Sequence, residues 1–444
     1  MSIETLEWPD EIELKLDSIA QGGDAVGRWQ ERVVFVRGGL PGEQVRVTLE
    51  ERTPQYARGS LAEIYVAAPE RIEPRLPGAD HISWQHIEYS AQLAFKQQIV
   101  AEQLAKLAGL TTTLIAPIRP AAHPWAYRSS ARLHSDGQQV GYYSKGQGSA
   151  ARESEDADLT ALEGQPKVPS LHAKGSLELM ALRDDPLLHP LLNSALAALP
   201  EALAAAPQAQ VKEVVLRASE TYGYSLGLLR GTGDLSFAAA CWRAAVPALA
   251  GVAMANNQKL WLTEDVDGLT FMLRPQTFFQ ATVDAAETLL ELLQAGLALS
   301  GHERVLDLFC GAGIFTLPLA DRAASVTGIE LSALAIEDAQ RSAEINEVEN
   351  IDFVIAPVER ALVNISEPVN AVVLDPPRRG CHPAVLERLL QLSAPRMAYV
   401  SCHPGTLARD LRILVAGGYH VSLVTPLDLF PQTPHIECVA ILEK

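Results

Sequence analysis

Side chains that could do chemistry are concentrated in the last third of the sequence, each beside an apolar stretch that predicts a strand. Cys402 follows "RMAYVS" and precedes "HPGTLARDL", so it lies at a predicted junction between a strand and a helix. A helix N-terminus stabilises thiolate over thiol, and a thiolate is a competent nucleophile. Glu437, in "PHIECVAILEK", precedes the last predicted strand, and we expect it to face the same cleft as a base.

A second chemical feature is the segment "VVLDPPRRG", in which an apolar strand ends in Asp375 and two prolines. The prolines fix a rigid, extended exit from the sheet, and Asp375 is therefore presented at its edge with little entropy to lose. A helix cap followed by a stiff loop is the structural alternative for this segment.

A glycine loop in "VLDLFCGAGIFTLPLA" (305–320) predicts a nucleoside site. Asp307 lies in the strand, Gly311 and Gly313 allow a tight turn, and Glu330 ends the next predicted strand, where an acid can accept hydrogen bonds from ribose hydroxyls. Thr316 occupies the position at which a dinucleotide-binding loop has its third glycine, which argues against NAD.

The elements that position these residues alternate along the last 160 or so residues, from "RVLDLFC" to "IECVAILEK". Short, almost fully apolar strands separated by helical segments indicate a buried parallel sheet with helices on both faces. Ligands of such sheets bind at the carboxyl ends of the strands, where all of these residues lie. The predicted fold class is a Rossmann-like α/β domain.

The preceding residues predict two further domains. Residues 10–70 contain short β-branched runs and Gly/Pro turns, which indicate a small β-barrel. Residues 89–110 predict an amphipathic helix, and 120–270 predict mixed α/β structure with an acidic loop near 148–160. The predicted domains are a barrel, a central α/β domain and the C-terminal domain, at 1–75, 76–270 and 271–444.

Composition limits the classes of partner and compartment. The longest apolar run is too short to span a bilayer, and the acidic start resembles no secretory signal, so we expect a cytoplasmic protein. The five cysteines lack CxxC spacing, which predicts free thiols and no metal site. A net charge of −18 argues against phosphate-driven RNA binding unless basic residues gather on one face.

Several motifs together resemble one family. The glycine loop with its strand-end acid resembles the class I S-adenosylmethionine (SAM) methyltransferases. "DPPRRG", "SCHPGTLARDL" and "FPQTPHIE", together with "FFQAT" (278–282), resemble the RNA uracil-5-methyltransferases within that class. The start resembles the TRAM domain of that family, which implies a barrel of the oligonucleotide-binding type. The segment "WQHIEYSAQLAFK" (84–96) resembles the linker helix of the family.

This resemblance implies SAM-dependent methylation of C5 of a uridine in RNA. Cys402 would add to uracil C6, and Glu437 would remove the C5 proton, on a uridine splayed out of its stack. The residues that would contact the cofactor are Gln280, Asp307, Gly311, Gly313, Glu330 and Asp375. Gln280 and Asp375 could contact uracil instead. By family analogy, ribosomal RNA is favoured over transfer RNA, and we expect a monomer.

The sequence also departs from the family pattern. Relatives with a [4Fe-4S] cluster have cysteines before the linker helix, but "PRLPGADHISWQHI" has none, so no cluster is expected. His403 and Thr282 replace asparagines, and Pro357 lies where a Gly-Asp pair is usual. Three alternatives remain open at this point: a catalytically altered RNA-binding protein, a nicotinamide-dependent oxidoreductase, and an amino-methyltransferase, although Arg378 after the prolines is atypical of the last.

Overall fold

A closed barrel of five strands occupies the N-terminal end of the computed structural model, which describes residues 7–111, 114–144, 178–254 and 259–444. Ile12, Leu14 and Leu16 point inward from the first strand in strict alternation, which is the pattern of a half-buried strand. The predicted barrel is therefore confirmed. Its strands are β1 (Glu11–Ile19), β2 (Ala25–Trp29), β3 (Arg32–Arg37), β4 (Gln44–Arg52) and β5 (Tyr56–Val66), closed in the order β1-β2-β3-β5-β4.

A helix, α1 (Tyr89–Gln103), links the barrel to a central α/β unit and continues as a π-helical turn that ends at Gly109. The central unit is a six-stranded sheet on which two helices pack in one core. The acidic loop predicted near 148–160 lies outside the described residues. The elements are β6 (Ser130–Ser135), β7 (Val140–Ser144), β8 (Glu178–Ala181), α2 (Pro190–Ala205), β9 (Ala209–Ser219), β10 (Tyr224–Gly233), α3 (Leu235–Ala245) and β11 (Leu249–Met254).

A two-stranded hairpin, β12 (Leu262–Val266) and β13 (Leu269–Leu273), leads into the C-terminal unit. Phe271 and Leu273 of the hairpin are fully buried in the core that also contains residues of the C-terminal sheet. The domain boundary predicted at residue 270 therefore falls within this hairpin.

The C-terminal unit is a seven-stranded sheet in the order β16-β15-β14-β17-β18-β20-β19. Large apolar clusters on this sheet contain residues of the surrounding helices, as the alternation of elements predicted. The elements are α4 (Val283–Leu297), β14 (Arg304–Leu308), α5 (Thr316–Ala320), β15 (Ser325–Glu330), α6 (Ala333–Ile345), β16 (Ile351–Ile355), α7 (Val358–Ala361), β17 (Ala371–Leu374), α8 (Pro383–Leu392), β18 (Arg396–Ser401), α9 (Pro404–Ala416), β19 (His420–Leu427) and β20 (Glu437–Glu443).

The prediction of a wholly parallel sheet is wrong for one strand. β20 runs antiparallel to both of its neighbours, β18 and β19, whereas the other strands run parallel to one another. The connection 428–436 between β19 and β20 explains the difference, since a parallel crossover needs about a dozen residues or more. Glu437 is consequently the first residue of a strand that starts at the carboxyl ends of the parallel strands.

The linker helix α1 packs on the C-terminal unit. Ile99, Val100 and Leu104 are buried in the same apolar cluster as Leu407 and Leu411 of α9. Just beyond the helix, Ile115 and Arg119 form parallel bridges with Val424 and Leu427 of β19. The linker thus adds an outer layer to the sheet that carries the candidate site. Within the described ranges, no helix has the length and apolar composition needed to cross a bilayer.

Candidate active site

The candidate nucleophile and base meet at one edge of the C-terminal sheet. Cys402 directly follows β18, and Glu437 begins β20. Ser401 pairs with Cys438 across these two antiparallel strands, and continuing this register by one residue brings Cys402 level with Glu437. Cys402 and Glu437, which belong to separate elements in the sequence, therefore lie side by side at this edge. The described geometry agrees with the predicted strand-to-helix junction at Cys402, with α9 beginning at Pro404.

The protonation of Cys402 differs from the sequence-based expectation of a thiolate. Burial, together with the nearby Glu437 and Asp375 carboxyl groups, raises the pKa of the Cys402 thiol well above its usual range, although the Arg378 guanidinium opposes the shift. Desolvation of the charged form therefore outweighs the helix N-terminus. At neutral pH the thiol is the resting form, and attack on a substrate requires transfer of its proton.

Two carboxyl groups at the site have raised pKa values. Burial and the Asp375 carboxyl group raise the pKa of Glu437 well above its usual range, against the effect of Arg378. Burial, with contributions from Asp307 and Glu330, raises the pKa of Asp375 to about 7. Carboxyl groups with such values are stronger bases than exposed ones, which suits proton transfer at neutral pH.

Arg378 links the segment after Asp375 to the segment before Glu437. Its guanidinium lies 3.1 and 3.2 Å from the two ring nitrogens of His435, and its backbone carbonyl accepts a hydrogen bond from the Thr406 hydroxyl at 3.0 Å. The arginine thus contacts the two loops that carry the candidate nucleophile and base.

Asp307 is fully buried within β14, below the glycine loop. One carboxylate oxygen accepts a hydrogen bond from the Thr316 hydroxyl, and the other, Oδ1, has no partner among the described residues. Burial raises the pKa of Asp307 to about 7, with Thr316 opposing the shift and Glu330 adding to it. Thr316, which the sequence marked only as a missing glycine, is therefore the residue that holds this carboxyl group.

The two glycines of the loop, Gly311 and Gly313, differ in the space that a side chain would find at each position. Both have positive φ, 53° at Gly311 and 79° at Gly313. A Cβ at Gly313 would lie 2.7 Å from Leu317 Cδ1, so this glycine allows the turn to pack against its own helix. A Cβ at Gly311 would meet nothing within 4 Å, so Gly311 borders open space. Gly311 is thus the glycine at which a ligand could approach the backbone.

Glu330 ties the end of β15 to the glycine loop. Its carboxylate accepts hydrogen bonds from the backbone N–H of Gly311 at 3.2 Å, of Leu331 at 2.7 Å and of Ser332 at 2.8 Å. The side chain is buried, with 6% of its surface exposed. Its predicted contact with a ribose stays a prediction, and the observed role is to hold the loop.

Gln280 is buried in the loop that precedes α4, and no hydrogen bond joins its side chain to the other predicted residues within the described part of the chain. Asp338 rigidifies this loop, since its carboxylate accepts hydrogen bonds from the Arg274 guanidinium, the Arg274 backbone and the Thr277 hydroxyl. Thr282, a departure from the family pattern, caps α4 by accepting the Ala285 N–H at 2.9 Å. Its hydroxyl therefore has a structural role at the start of α4.

Two apolar side chains beside the glycine loop were missed by the sequence analysis. Leu331 directly follows β15, and Ile355 ends the neighbouring parallel strand β16. The exposed fraction is 59% for Leu331 and 55% for Ile355. Pro357 follows Ile355 as the residue before α7. An exposed large apolar residue directly after a strand-end acid is the signal that could have identified this surface.

The segment that leads to Glu437 is held by the linker helix. Lys96 donates to Asp428 Oδ1 at 2.6 Å, and both side chains are fully buried. The Gln92 side-chain amide donates to the Gln432 side-chain oxygen and accepts the Gln432 backbone N–H, and each of these hydrogen bonds is 2.9 Å long. The linker therefore holds the start and the middle of the 428–436 connection.

The remaining polar and thiol groups point to no metal centre. Cys310, Cys381 and Cys438 are buried free thiols, and Cys241 and Cys402 are partly buried. Among the described residues, no group of three or more His, Cys, Asp or Glu side chains is arranged to hold a metal ion.

Comparisons with known proteins agree with this architecture. Residues 262–444 match the model of the tRNA (uracil-5-)-methyltransferase family, and residues 10–62 match that of the TRAM domain. An uncharacterized RNA methyltransferase of Thermosynechococcus vestitus is 34% identical, over 97% of each chain. A similar protein of Nostoc is 33% identical, over 97% of this chain and 96% of its own.

A solved structure shows the same fold. The Pyrococcus abyssi tRNA (uracil-54, C5)-methyltransferase, in complex with S-adenosyl-L-homocysteine, superimposes with a TM-score of 0.72 at 21% identity, covering 97% of this chain and 100% of its own. Fold and site together define a SAM-dependent RNA methyltransferase. The chain belongs to the RNA uracil-5-methyltransferase family, with a TRAM barrel at its N-terminal end. The predicted fold class, enzyme class and cofactor are thereby confirmed.

Proposed function

We propose that this enzyme methylates C5 of a uridine in ribosomal RNA, in the cytoplasm, through a covalent adduct between Cys402 and uracil C6. The observation that carries the proposal is the register of β18 and β20, which sets the Cys402 thiol level with the Glu437 carboxyl group. A thiol alone at this position would be a packing group. A thiol beside a buried carboxyl group of raised pKa forms a nucleophile and base pair.

The first step is attack by sulfur on C6 of the uracil ring. The thiol passes its proton to the Asp375 carboxylate, whose pKa of about 7 leaves it partly ionised at neutral pH, the sulfur forms a bond to C6, and the electron pair of the C5–C6 double bond moves to make C5 nucleophilic. Arg378 favours the anionic sulfur, because its positive charge lowers the pKa of Cys402. The neighbouring carboxyl groups of Asp375 and Glu437 oppose ionisation, so proton transfer is coupled to the arrival of the substrate.

The second half of the reaction needs a base at C5. After C5 has acquired the methyl group, Glu437 accepts the C5 proton, the electron pair of the C5–H bond restores the C5–C6 double bond, and the bond between C6 and sulfur breaks. Glu437 must be ionised to accept this proton, and its raised pKa then makes the carboxylate a strong acceptor. The products are 5-methyluridine, the demethylated cofactor and the Cys402 thiolate, which regains its proton from Asp375, while Glu437 releases the C5 proton to solvent.

The residues beside the glycine loop fit the nucleoside and amino-acid parts of SAM. When bound, SAM supplies an electrophilic methyl group. Asp307 offers a buried carboxylate oxygen that has no partner among the described residues, and Gly311 borders open space. Leu331 and Ile355 present apolar surface suited to a purine ring. We assign these four residues to cofactor binding, together with Gln280, Gly313, Glu330 and Asp375 as the sequence predicted.

RNA contact is supported by aromatic and arginine side chains on the barrel. Arg32 lies over the rings of Trp8 and Trp29, which stack on each other 5.5 Å apart. Arg58 lies over the rings of Phe35 and Tyr56 and is also ion-paired with Asp24 and Glu51, at 3.2 and 3.4 Å. The aromatic rings beside these arginines can stack on unpaired bases, which offers local attraction despite the net charge of −18.

One experiment tests the activity and identifies the target. Mapping 5-methyluridine across total RNA from cells with and without the gene should reveal one or a few uridines that lose the modification. Complementation with Cys402→Ala should leave these positions unmethylated. Cys241→Ala, which changes another partly buried cysteine in the central unit, should restore methylation and serves as the matched control.

Transfer RNA is the second candidate substrate. The matching family model and the Pyrococcus enzyme are both named for transfer RNA, which favours this reading. The same map distinguishes the candidates, because the lost modification falls either in ribosomal or in transfer RNA. Unchanged methylation in both would overturn the proposed activity and would favour a catalytically altered RNA-binding protein. Full activity of Cys402→Ala would refute the covalent mechanism.

A further inference from the structure

A turn of the TRAM barrel reaches the residue next to the candidate nucleophile. Gln21 lies between β1 and β2, and its side-chain amide is 2.8 Å from Nε2 of His403. The two residues are 382 positions apart in the chain and belong to different domains. None of the roles assigned above requires this contact.

The His403 ring has hydrogen bonds at both nitrogens. Nδ1 accepts the Thr406 backbone N–H at 3.1 Å, so the ring caps α9. In a neutral imidazole, a nitrogen that accepts leaves the other as the donor, and Nε2–H therefore points at the Gln21 amide. The Gln21 amide nitrogen lies 2.8 Å from Nε2, and since two donors cannot pair, the amide oxygen and nitrogen exchange places so that the oxygen accepts this N–H. Gln21 thus sets the orientation of the cap.

The backbone around Cys402 depends on this ring. The His403 N–H lies 3.3 Å from the Ser401 hydroxyl oxygen, and that hydroxyl lies 3.3 Å from the His403 carbonyl oxygen. Cys402 is the residue between these two. Its position is therefore bounded by β18 on one side and by the capped start of α9 on the other, with Gln21 holding the cap.

The barrel turn is tightly packed between the loops of the nucleophile and the base. A Cβ at Gly405 would lie 2.9 Å from a terminal atom of the Gln21 amide. A Cβ at Gly23, in the same turn, would lie 2.7 Å from Trp84 Nε1 and 2.8 Å from Pro434 Cβ. The turn therefore closely approaches both the start of α9 and the 428–436 connection.

From these contacts we infer that Gln21 is a positioning residue for methyl transfer, which acts through His403 to hold the Cys402 thiol in line for attack on C6. The TRAM barrel thereby contributes to the chemical step as well as to RNA binding. This inference rests on the proposed function, because it requires that Cys402 forms the adduct.

The test measures adduct formation and RNA binding separately. Ribosomal and transfer RNA transcripts containing 5-fluorouridine have fluorine in place of the C5 hydrogen that Glu437 removes, so the methylated adduct persists and is resolved on a denaturing gel. We expect Gln21→Leu, which keeps the size of the side chain and removes the acceptor, to slow adduct formation about tenfold. This factor corresponds to about 1.4 kcal/mol. The RNA concentration at half-saturation should not change.

A double-mutant cycle separates this mechanism from a general loss of structure. His403→Asn keeps a good helix-capping side chain but is too short to reach Gln21. We expect Gln21→Leu, His403→Asn and the double variant to be equally slow, because each removes the same contact. Gln44→Leu, which changes an exposed glutamine of the same barrel, is the matched control and should react as fast as the unmodified enzyme.

Each outcome decides. Rates of Gln21→Leu equal to those of the control, a change in RNA binding alone, or additive losses in the double variant would overturn the inference while leaving the proposed function intact. If the unmodified enzyme forms no adduct with the ribosomal transcript and none with the transfer RNA transcript, the proposed function is overturned, and the inference with it.

Discussion

The buried pair of Lys96 and Asp428 makes a quantitative prediction about stability. Both side chains are fully buried, the Nζ–Oδ1 distance is 2.6 Å, and Lys96 also donates to the Phe430 carbonyl at 3.1 Å. Lys96→Met fills a similar volume but leaves the Asp428 carboxylate buried without a cation. Breaking a buried ion pair from one side costs about 3–5 kcal/mol, because the remaining charge is uncompensated.

This loss translates into a large shift in melting temperature. For a unit of about 150–250 residues, 1 kcal/mol corresponds to roughly 2–4 °C, so Lys96→Met should lower the melting temperature of the catalytic unit by roughly 6–20 °C. Differential scanning calorimetry is the appropriate measurement, because it separates the transitions of a multidomain chain. Replacing both partners, with Asp428→Leu added to Lys96→Met, should recover most of the loss, since no charge then remains buried.

The chain offers a matched control for this experiment. Lys106 forms an equally short bond of 2.7 Å with Glu102, but 67% of the lysine side chain is exposed. Exposed pairs at this spacing contribute about 0.3–0.5 kcal/mol, so Lys106→Met should shift the melting temperature by roughly 1–2 °C. A Lys96→Met shift no larger than this would refute the reasoning that burial makes the pair important.

Three further outcomes are expected. Glu437→Gln should lower turnover about 10²–10⁴-fold and accumulate the adduct on ordinary RNA, visible on a denaturing gel; rapid release would exclude Glu437 as the base. Thr316→Val should destabilise the catalytic unit by about 1–3 kcal/mol in calorimetry, because Asp307 loses its donor, whereas Thr316→Ser should not. Because burial raises the pKa values of Asp307 and Asp375 to about 7, the folded state retains protons that the unfolded state has released, and melting temperature should fall as pH rises from 6 to 8; a rise would contradict these values.

The sequence was sufficient to locate the strands of the catalytic sheet and the residues at their ends. The apolar runs before Asp375 and Cys402 are contiguous, and a buried parallel strand needs such a run. Both runs form the strands expected, β17 and β18. The motifs that follow them identified the family because their residue types are unusual in combination.

Other features depend on contacts that no local pattern encodes. The raised pKa of Cys402 results from the packing of the whole site, so the rule for helix N-termini alone was misleading. The hydrogen bond between Thr316 and Asp307 is visible only once the loop has folded back over β14. The contact of Gln21 with His403 joins two domains, and periodicity carries no information about such a pair.

The position of β20 between β18 and β19 has a consequence for the order of assembly during synthesis. β20 follows every other described element in the chain and therefore leaves the ribosome after them. Until it inserts, β18 and β19 lack the strand that joins them, and Glu437 is missing from the edge where Cys402 already stands. A nascent chain thus carries the candidate nucleophile without the candidate base until the sheet has been completed.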